Sequence, residues 1–278
     1  MNLVLTGSTS GIGWETLKAL LPHFDHVFLP VRNLEKAKKM IHPLTEKHKI
    51  QLIPMDLSLM KSVQEGVQHI LKSTDKVHVL INNAGGMYPG GKLTEEKLDL
   101  TFATNHLGHF LLTLELLPLL KNGQAKIINV SSEAHRLAAS LNSDWGLRKA
   151  GNTINAYGKV KLYNILFTKE LKRRYEDQGI QAYALHPGAV KTAFGSETSL
   201  IAKAIIRATQ LLFISPKAGA NTSIFLAMSP KDQLKNGGYF DKKKPKTPAA
   251  IALDPKPAEE LWNYSLKTLQ DLRPDSSE

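Results

Sequence analysis

The sequence lacks cysteine altogether and contains no long hydrophobic run. Without cysteine, a disulfide framework, a zinc site with cysteine ligands and a cysteine nucleophile are excluded. The richest apolar stretch, Leu111 to Leu120, is interrupted by Glu115 and Pro118 and is too short to span a bilayer. The first apolar run, at residues 3–5, leads directly into Thr6 and Gly7, so no signal-peptide core fits there. We therefore expect a cytoplasmic protein with no transmembrane segment, and leave open a peripheral contact with a membrane.

Acidic residues are in deficit. The chain has 36 lysines and arginines against 25 aspartates and glutamates, a formal net charge of +11 and a pI of about 9.6. Such a surface attracts phosphates, nucleic acid or acidic lipid. We interpret most of the excess as solvated lysine and expect no specific nucleic-acid partner, because binding through charge alone collapses at moderate salt. A phosphorylated cofactor suits the same positive field.

Apolar runs typical of strands alternate with helical patterns along the chain. This alternation predicts an α/β fold with a doubly wound parallel sheet and helices on both faces. The predicted strands are Asn2–Leu5, Val27–Val31, Ile50–Met55, Val77–Asn82, Lys126–Ser131 and Ile180–Leu185. The predicted helices are Ile12–Leu21, Leu34–His48, Leu59–Leu71, Glu95–Leu120, Asn155–Tyr175 and Glu259–Leu272.

No linker or repeat divides the sequence, so we predict one domain over residues 1–278. A substrate lid is expected at about 192–216, where Ile201, Ile205, Ala208 and Leu212 recur at helical spacing and form either an apolar cover or core packing. A C-terminal extension is expected at about 237–278. The residues after Gly237, with the lysine-rich stretch 242–246, are predicted to form an exposed loop before the last helix.

A glycine-rich turn follows the first strand, with Gly7, Gly11 and Gly13 spaced as G-x-x-x-G-x-G. Such a turn lets the backbone, here Ser10 to Gly13 with Ile12, approach a pyrophosphate at a helix N-terminus. A plain structural turn is the alternative. The position between a strand and an apolar helix favours a dinucleotide site.

The end of the second strand carries no carboxylate. An acidic residue about 20 positions after the glycines would bind the ribose hydroxyls of NAD, but Arg32 stands there. A guanidinium matches a 2′-phosphate, which predicts NADP(H) unless Arg32 points to solvent.

Two further strand ends fit the same cofactor. Asp56 and Leu57 follow the third strand, where Asp56 either accepts from the adenine amino group or caps the next helix. Asn83, Ala84 and Gly85 follow the fourth strand, and their small size lets a cofactor cross the sheet edge closely, although a plain turn uses similar residues.

Tyr157 and Lys161 stand four residues apart in a predicted helix and so share one face. A phenol has a pKa of about 10, and a neighbouring ammonium is expected to lower the pKa of Tyr157 toward a useful range. Ser132, at the end of the fifth strand, is placed to hold a substrate oxygen. Ser131 is the alternative. Asn105 is unfavourable inside a helix, and we expect it to disrupt local helix bonding and support a proton relay to Lys161.

Taken together and in this order, these motifs resemble the short-chain dehydrogenase/reductase family over nearly the whole chain. The resemblance implies a Rossmann-type fold and a catalytic tetrad of Asn105, Ser132, Tyr157 and Lys161. It makes Tyr157 the acid/base, while Lys161 binds the nicotinamide ribose. It also implies nicotinamide-end contacts from Pro187, Gly188, Val190 and Thr192.

A narrower likeness is to retinol dehydrogenases, carried by residues 30–37, 129–135 and 238–240 and by Leu261 and Trp262. Those relatives use NADP(H), which agrees with Arg32. Many carry an N-terminal membrane anchor that we do not find, so a membrane-dissolved retinoid is not the expected substrate. His135, Trp145, His186 and Phe194 are candidate pocket residues, and each also fits ordinary packing.

We therefore predict an oxidoreductase that interconverts an apolar carbonyl compound and an alcohol. The alternatives are a catalytically idle NADP(H)-binding regulator and a sugar-nucleotide epimerase of related fold. Relatives often pair through the helices carrying Asn105 and Tyr157, which makes a homodimer or homotetramer a further hypothesis.

Overall fold

The computed structural model describes residues 1–138, 144–148, 152–188 and 214–272. Within these ranges eight strands form one sheet in the order β3-β2-β1-β4-β5-β6-β7-β8. The first seven pair in parallel, and β8 pairs antiparallel with β7. The strands are β1 (Asn2–Leu5), β2 (His26–Val31), β3 (Ile50–Pro54), β4 (Val79–Asn82), β5 (Lys126–Val130), β6 (Gln181–His186), β7 (Tyr239–Asp241) and β8 (Lys244–Pro245).

Helices cover both faces of this sheet. They are α1 (Gly11–Leu20), α2 (Leu34–Ile41), α3 (Met60–Leu71), α4 (Leu100–Phe102), α5 (Gly108–Glu115), α6 (Leu117–Asn122), α7 (Thr153–Tyr175), α8 (Pro216–Met228) and α9 (Pro255–Asp271). A π-helical segment, Ala103–Leu107, joins α4 to α5, and a 3-10 helix, Glu133–Leu137, follows β5. Among the described residues, no helix is both long enough and apolar enough to cross a bilayer.

The core consists of one hydrophobic cluster on each face of the sheet. Alternate residues of a strand point to opposite faces, so in β1 Val4 joins one cluster while Leu3 and Leu5 join the other. The Val4 side includes α3, α5, α7 and α9, and the other side includes α1, α2 and α8. The predicted Rossmann-type sheet with helices on both faces is therefore confirmed.

Several predicted boundaries are wrong, for local reasons. The second helix ends at Ile41 instead of His48 because Pro43 follows and has no amide hydrogen with which to continue the helical bonds. The long helix predicted from Glu95 begins only at Leu100, where the Asp99 carboxylate accepts from the Thr101 and Phe102 amides at 2.8 and 3.1 Å.

The C-terminal extension was also misread. Its lysines 242–244 are exposed as predicted, but residues 239–241 form β7 inside the sheet instead of a loop. The last helix begins at Pro255, four residues earlier than predicted, and α8 was not predicted. A three-residue strand is too short to show a period of two, so only its pairing with β6 identifies it.

Candidate active site

A cavity of about 460 Å³ opens at the carboxyl edge of the sheet, beside β1 and β4. The strand order turns outward in both directions from this pair, which is where open α/β sheets bind ligands. All the residues predicted for the adenosine and pyrophosphate part of the cofactor line this cavity: Gly7, Ser10, Gly11, Ile12, Gly13, Arg32, Asp56, Leu57, Asn83, Ala84 and Gly85.

The glycine turn lines the cavity, and two of its positions leave no room for a side chain. Gly7 has a φ of +66°, which favours glycine, and a Cβ on Gly13 would lie 2.1 Å from the Gly7 carbonyl oxygen. This close approach brings the start of α1 to the cavity. Ser10, the residue before α1, makes no side-chain capping bond there, so the first amides of α1 are available to an anion such as a pyrophosphate.

Thr6 ties this turn to the end of β4. Its hydroxyl oxygen accepts from the Asn83 and Ala84 amides, each at 3.0 Å, and the Asn83 side chain donates to the Thr6 carbonyl at 2.9 Å. These partly buried hydrogen bonds therefore fix the glycine turn against the end of β4.

Two cationic side chains lie near the junction between β2 and α2. Arg32 and Lys36 are both exposed and both line the cavity. Between them, the Asn33 side chain accepts from the Lys36 amide at 2.8 Å and caps α2. The only acidic residue among the lining residues is Asp56. This end of the cavity is thus suited to a phosphate.

Asp56 is not the cap of α3. Its carboxylate accepts from the amide and hydroxyl of Ser58, at 2.8 and 2.7 Å, which closes a local turn. The cap comes instead from Glu96, whose carboxylate accepts from the amides of Met60 at 2.9 Å and Lys61 at 3.3 Å.

Ser132, Tyr157 and Lys161 meet next to this cavity. Tyr157 and Lys161 share one face of α7, with the Lys161 ammonium 5.4 Å from the centre of the Tyr157 ring. Tyr157 is hydrogen-bonded to the Ser132 side chain. The Ser131 hydroxyl donates to the Lys161 carbonyl at 2.6 Å and is buried, so this geometry favours Ser132 over Ser131 as the residue facing a substrate.

The electrostatics of the pair differ from the sequence-based expectation. Burial raises the pKa of Tyr157 above its ordinary value, although the hydrogen bond with Ser132 acts in the opposite direction. Burial also lowers the pKa of Lys161 to about 8. The predicted lowering of the Tyr157 pKa is therefore wrong, because the effect of burial outweighs that of the hydrogen bond with Ser132.

Asn105 lies in the π-helical segment and is completely buried. Its side chain donates to the carbonyls of Thr101 at 2.9 Å and Gly86 at 3.1 Å, and accepts from the Gly86 amide at 3.1 Å. A Cβ on Gly85 would lie 2.5 Å from the Asn105 Oδ1 atom and 3.4 Å from the Lys161 Nζ atom. Asn105 thus lies within an interruption of the α-helix, beside both Lys161 and the cavity wall, and its part in a proton relay stays a prediction.

The predicted pocket residues separate into three groups. His135 and Trp145 are buried: His135 has hydrogen bonds at both ring nitrogens, and the Trp145 ring packs 5.5 Å from Tyr163. His186 accepts from the Glu133 amide at 3.2 Å and is partly buried. Phe194 lies outside the described residues.

The residues predicted to contact the nicotinamide follow β6. Pro187 and Gly188 come directly after His186 at the carboxyl edge, and Gly188 has a φ of +92°. Val190, Thr192 and lid residues 192–213, with Ile201, Ile205, Ala208 and Leu212, lie outside the described residues.

Sequence reasoning missed three residues at this site. Lys36 and Tyr88 line the cavity, and the buried His109 ring lies 2.9 Å from the Thr6 hydroxyl and 3.5 Å from the Asn105 carbonyl. Lys36 had a usable signal, since it follows Arg32 by four positions at a helix start. The roles of Tyr88 and His109 depend on contacts distant in sequence.

The comparisons with known proteins agree with this arrangement. A family model described as short chain dehydrogenase matches residues 2–200. Retinol dehydrogenase 13 of Homo sapiens is 38% identical over 277 residues, covering 95% of this chain and 83% of the relative. Retinol dehydrogenase 12 of Mus musculus is 35% identical over 271 residues, covering 96% and 85%.

Solved structures share the fold. A crystal structure of an uncharacterized protein from Mycobacterium paratuberculosis has a TM-score of 0.76 at 27% identity, covering 97% of this chain and 93% of that one. NADPH-bound carbonyl reductase from chicken fatty liver has a TM-score of 0.66 at 21% identity, covering 89% and 98%. The match of the family model and the identity to full-length relatives place the chain in the short-chain dehydrogenase family, oxidoreductases that act on alcohol and carbonyl groups with nicotinamide cofactors.

Proposed function

We propose that this protein is an NADP(H)-dependent oxidoreductase that interconverts an apolar aldehyde or ketone and the corresponding alcohol, with Tyr157 as acid/base. The observation that carries the proposal is the contact of Tyr157 with Ser132, with the Lys161 ammonium 5.4 Å from the phenol ring. This cluster adjoins the cavity through Gly85 and Asn105.

The cavity fits a phosphorylated dinucleotide. The uncapped start of α1 would hold the pyrophosphate, and Arg32 with Lys36 would hold a 2′-phosphate. Asp56 and Leu57 line the cavity and would contact the adenine. Lys161, Pro187 and Gly188, with Val190 and Thr192, would contact the nicotinamide end. When bound, the nicotinamide supplies or accepts the hydride.

In reduction, Ser132 and Tyr157 donate hydrogen bonds to the carbonyl oxygen, and Tyr157 gives its proton as hydride reaches the carbon. Burial keeps the Tyr157 phenol protonated, which suits this direction. In oxidation the Tyr157 phenolate takes the proton of the substrate hydroxyl and becomes a phenol again, and the positive charge of Lys161 favours the phenolate that this step requires.

Two observations support an apolar substrate. Leu137 is 59% exposed, and its Cβ would lie 3.5 Å from a Cβ on Gly158, the residue after Tyr157. Ile154, one turn before Tyr157, is 46% exposed, so exposed apolar side chains lie near the proposed acid/base. The names of the relatives point the same way, since retinol is an apolar alcohol.

The test is oxidation of NADPH against NADH across a panel of apolar aldehydes and ketones. We expect NADPH to be preferred, and Tyr157→Phe to lower kcat by about 10²- to 10⁴-fold while nucleotide binding is retained.

Tyr163→Phe is the matched control. It makes the same change on the same helix, and within the described structure the Tyr163 hydroxyl is buried without a hydrogen-bond partner. If Tyr157→Phe and the parent turn over the panel at the same rate, the assignment of Tyr157 is wrong. A preference for NADH would refute the role of Arg32.

A further inference from the structure

His135 is completely buried and stands three residues after Ser132. One ring nitrogen, Nδ1, lies 2.7 Å from the Ser132 carbonyl oxygen, and the other, Nε2, accepts from the Ala249 amide at 3.0 Å. Because an amide can only donate, Nε2 is unprotonated. The Nδ1–H group must therefore donate to the Ser132 carbonyl, and the imidazole is neutral.

Ala249 belongs to the C-terminal part of the chain, outside the residues 2–200 that the family model matches. Three other contacts join this C-terminal part to the 3-10 helix that follows Ser132. The Tyr239 hydroxyl donates to Glu133 at 2.8 Å, the Lys246 ammonium lies 3.0 Å from Glu133, and Arg136 donates to the Thr247 carbonyl at 2.6 Å. The extension thus clamps the segment that begins at Ser132.

The Ser132 carbonyl accepts from both the side chain and the backbone amide of His135, at 2.7 and 3.1 Å, and only the side chain links this carbonyl to Ala249 among the described residues. The Ser132 hydroxyl oxygen also accepts from the Ala134 amide at 3.2 Å, and its backbone is extended, with a φ of −160°. A carbonyl held by a buried donor fixes the peptide plane from which that hydroxyl projects.

We propose that His135 is a positioning residue. It links the C-terminal extension, through Ala249, to the Ser132 carbonyl, and so fixes the position of the Ser132 hydroxyl that contacts Tyr157. This rests on the proposed function, because it assigns a use to the placement of Ser132. It replaces the expectation that His135 lines the substrate pocket.

The sharpest variant is Ala249→Pro, which deletes one amide hydrogen. Ala249 has a φ of −57° and a ψ of 145°, which proline adopts without strain. Ala250→Pro is the matched control. Ala250 begins a 3-10 helix, where proline is tolerated, and its amide makes no backbone or side-chain bond among the described residues.

We expect Ala249→Pro to lower kcat for carbonyl reduction by about tenfold or more, because small misplacements of a reacting group cost on the order of 10- to 100-fold. The Kd for NADPH should stay within about twofold of the parent, and Ala250→Pro should behave as the parent. His135→Asn keeps a donor near the Nδ1 position, whereas His135→Gln keeps an acceptor near Nε2. We therefore expect Asn to retain more activity than Gln.

Parent kcat in both Ala249→Pro and His135→Gln would overturn the proposal. So would a fall in NADPH affinity as large as the fall in kcat, since a general loss of structure would produce that.

A measurement independent of turnover separates this proposal from the proposed function. The side-chain ¹⁵N shifts of His135 in the labelled protein should show a proton on Nδ1 and an acceptor at Nε2 near neutral pH. A proton on Nε2 would refute the bridge even if the enzyme is active. The expected tautomer without reductase activity would sustain the bridge and count against the function alone.

Discussion

Lys36 lies in the first turn of α2, four residues after Arg32, and both line the end of the cavity that we propose for a 2′-phosphate. Because Lys36 is exposed, its contact with a phosphate should be worth roughly 0.2–1 kcal/mol. We expect Lys36→Ala to raise the KM for NADPH by about two- to fivefold and to leave the KM for NADH unchanged.

Lys39→Ala is the control, because Lys39 is exposed on the same helix but does not line the cavity. Steady-state kinetics with both nucleotides give the comparison. An equal rise in KM for NADH would mean that Lys36 acts through general charge and not through the extra phosphate.

Some properties of individual residues could be predicted from the sequence, and others could not. Glycines at 7, 11 and 13 and a cation at 32 could be read from spacing, because a strand, a turn and a helix start place them at one edge. The pKa of Tyr157 could not, because the dominant cause is burial by segments distant in sequence. A lysine four residues after a tyrosine in a helix indicates that the two side chains are close. It does not indicate whether the charge or the burial has the larger effect on the tyrosine pKa.

Among the elements, the strands β1 to β6 were predictable because buried parallel strands are short apolar runs. The π-helical segment at residues 103–107 was not, although Asn105 signalled some disruption. A Cβ on Gly108 would lie 2.2 Å from the Leu57 carbonyl oxygen, so the segment packs against the loop after β3. The spacing of residues along the sequence does not reveal such a close approach.

The start of α3 likewise depends on a residue far along the chain. Glu96 supplies the acceptors for the amides of Met60 and Lys61, and its charge faces the positive end of the helix. We expect Glu96→Ala to reduce the free energy of unfolding by about 1 kcal/mol, the usual cost of a lost cap. Neighbouring Glu95 is exposed, and Glu95→Ala should change it by less than about 0.5 kcal/mol. Equal losses in urea denaturation would contradict the cap.

At the scale of the whole molecule, the C-terminal helix α9 covers the surface formed by α5 and α7. The Trp262 ring packs 4.9 Å from Phe110 and 6.0 Å from Phe167, and the Arg174 guanidinium lies 4.5 Å from the same ring. His106 of the π-helical segment lies 2.9 Å from the Ser265 hydroxyl. The homodimer or homotetramer implied by the family resemblance would use the helices near Asn105 and Tyr157, so a partner there must displace α9 or approach elsewhere.

This covering predicts that α9 is an integral part of the folded unit. Trp262 is 3% exposed, and removing a buried aromatic ring costs roughly 3–5 kcal/mol of unfolding free energy. We expect Trp262→Ala to show that loss in chemical denaturation. Asn263→Ala, the exposed neighbour on the same helix, should change it by less than about 0.5 kcal/mol. If Trp262→Ala is as stable as the parent, and the parent cross-links to a second copy through α5 and α7, then α9 leaves this surface in solution and a partner chain replaces it.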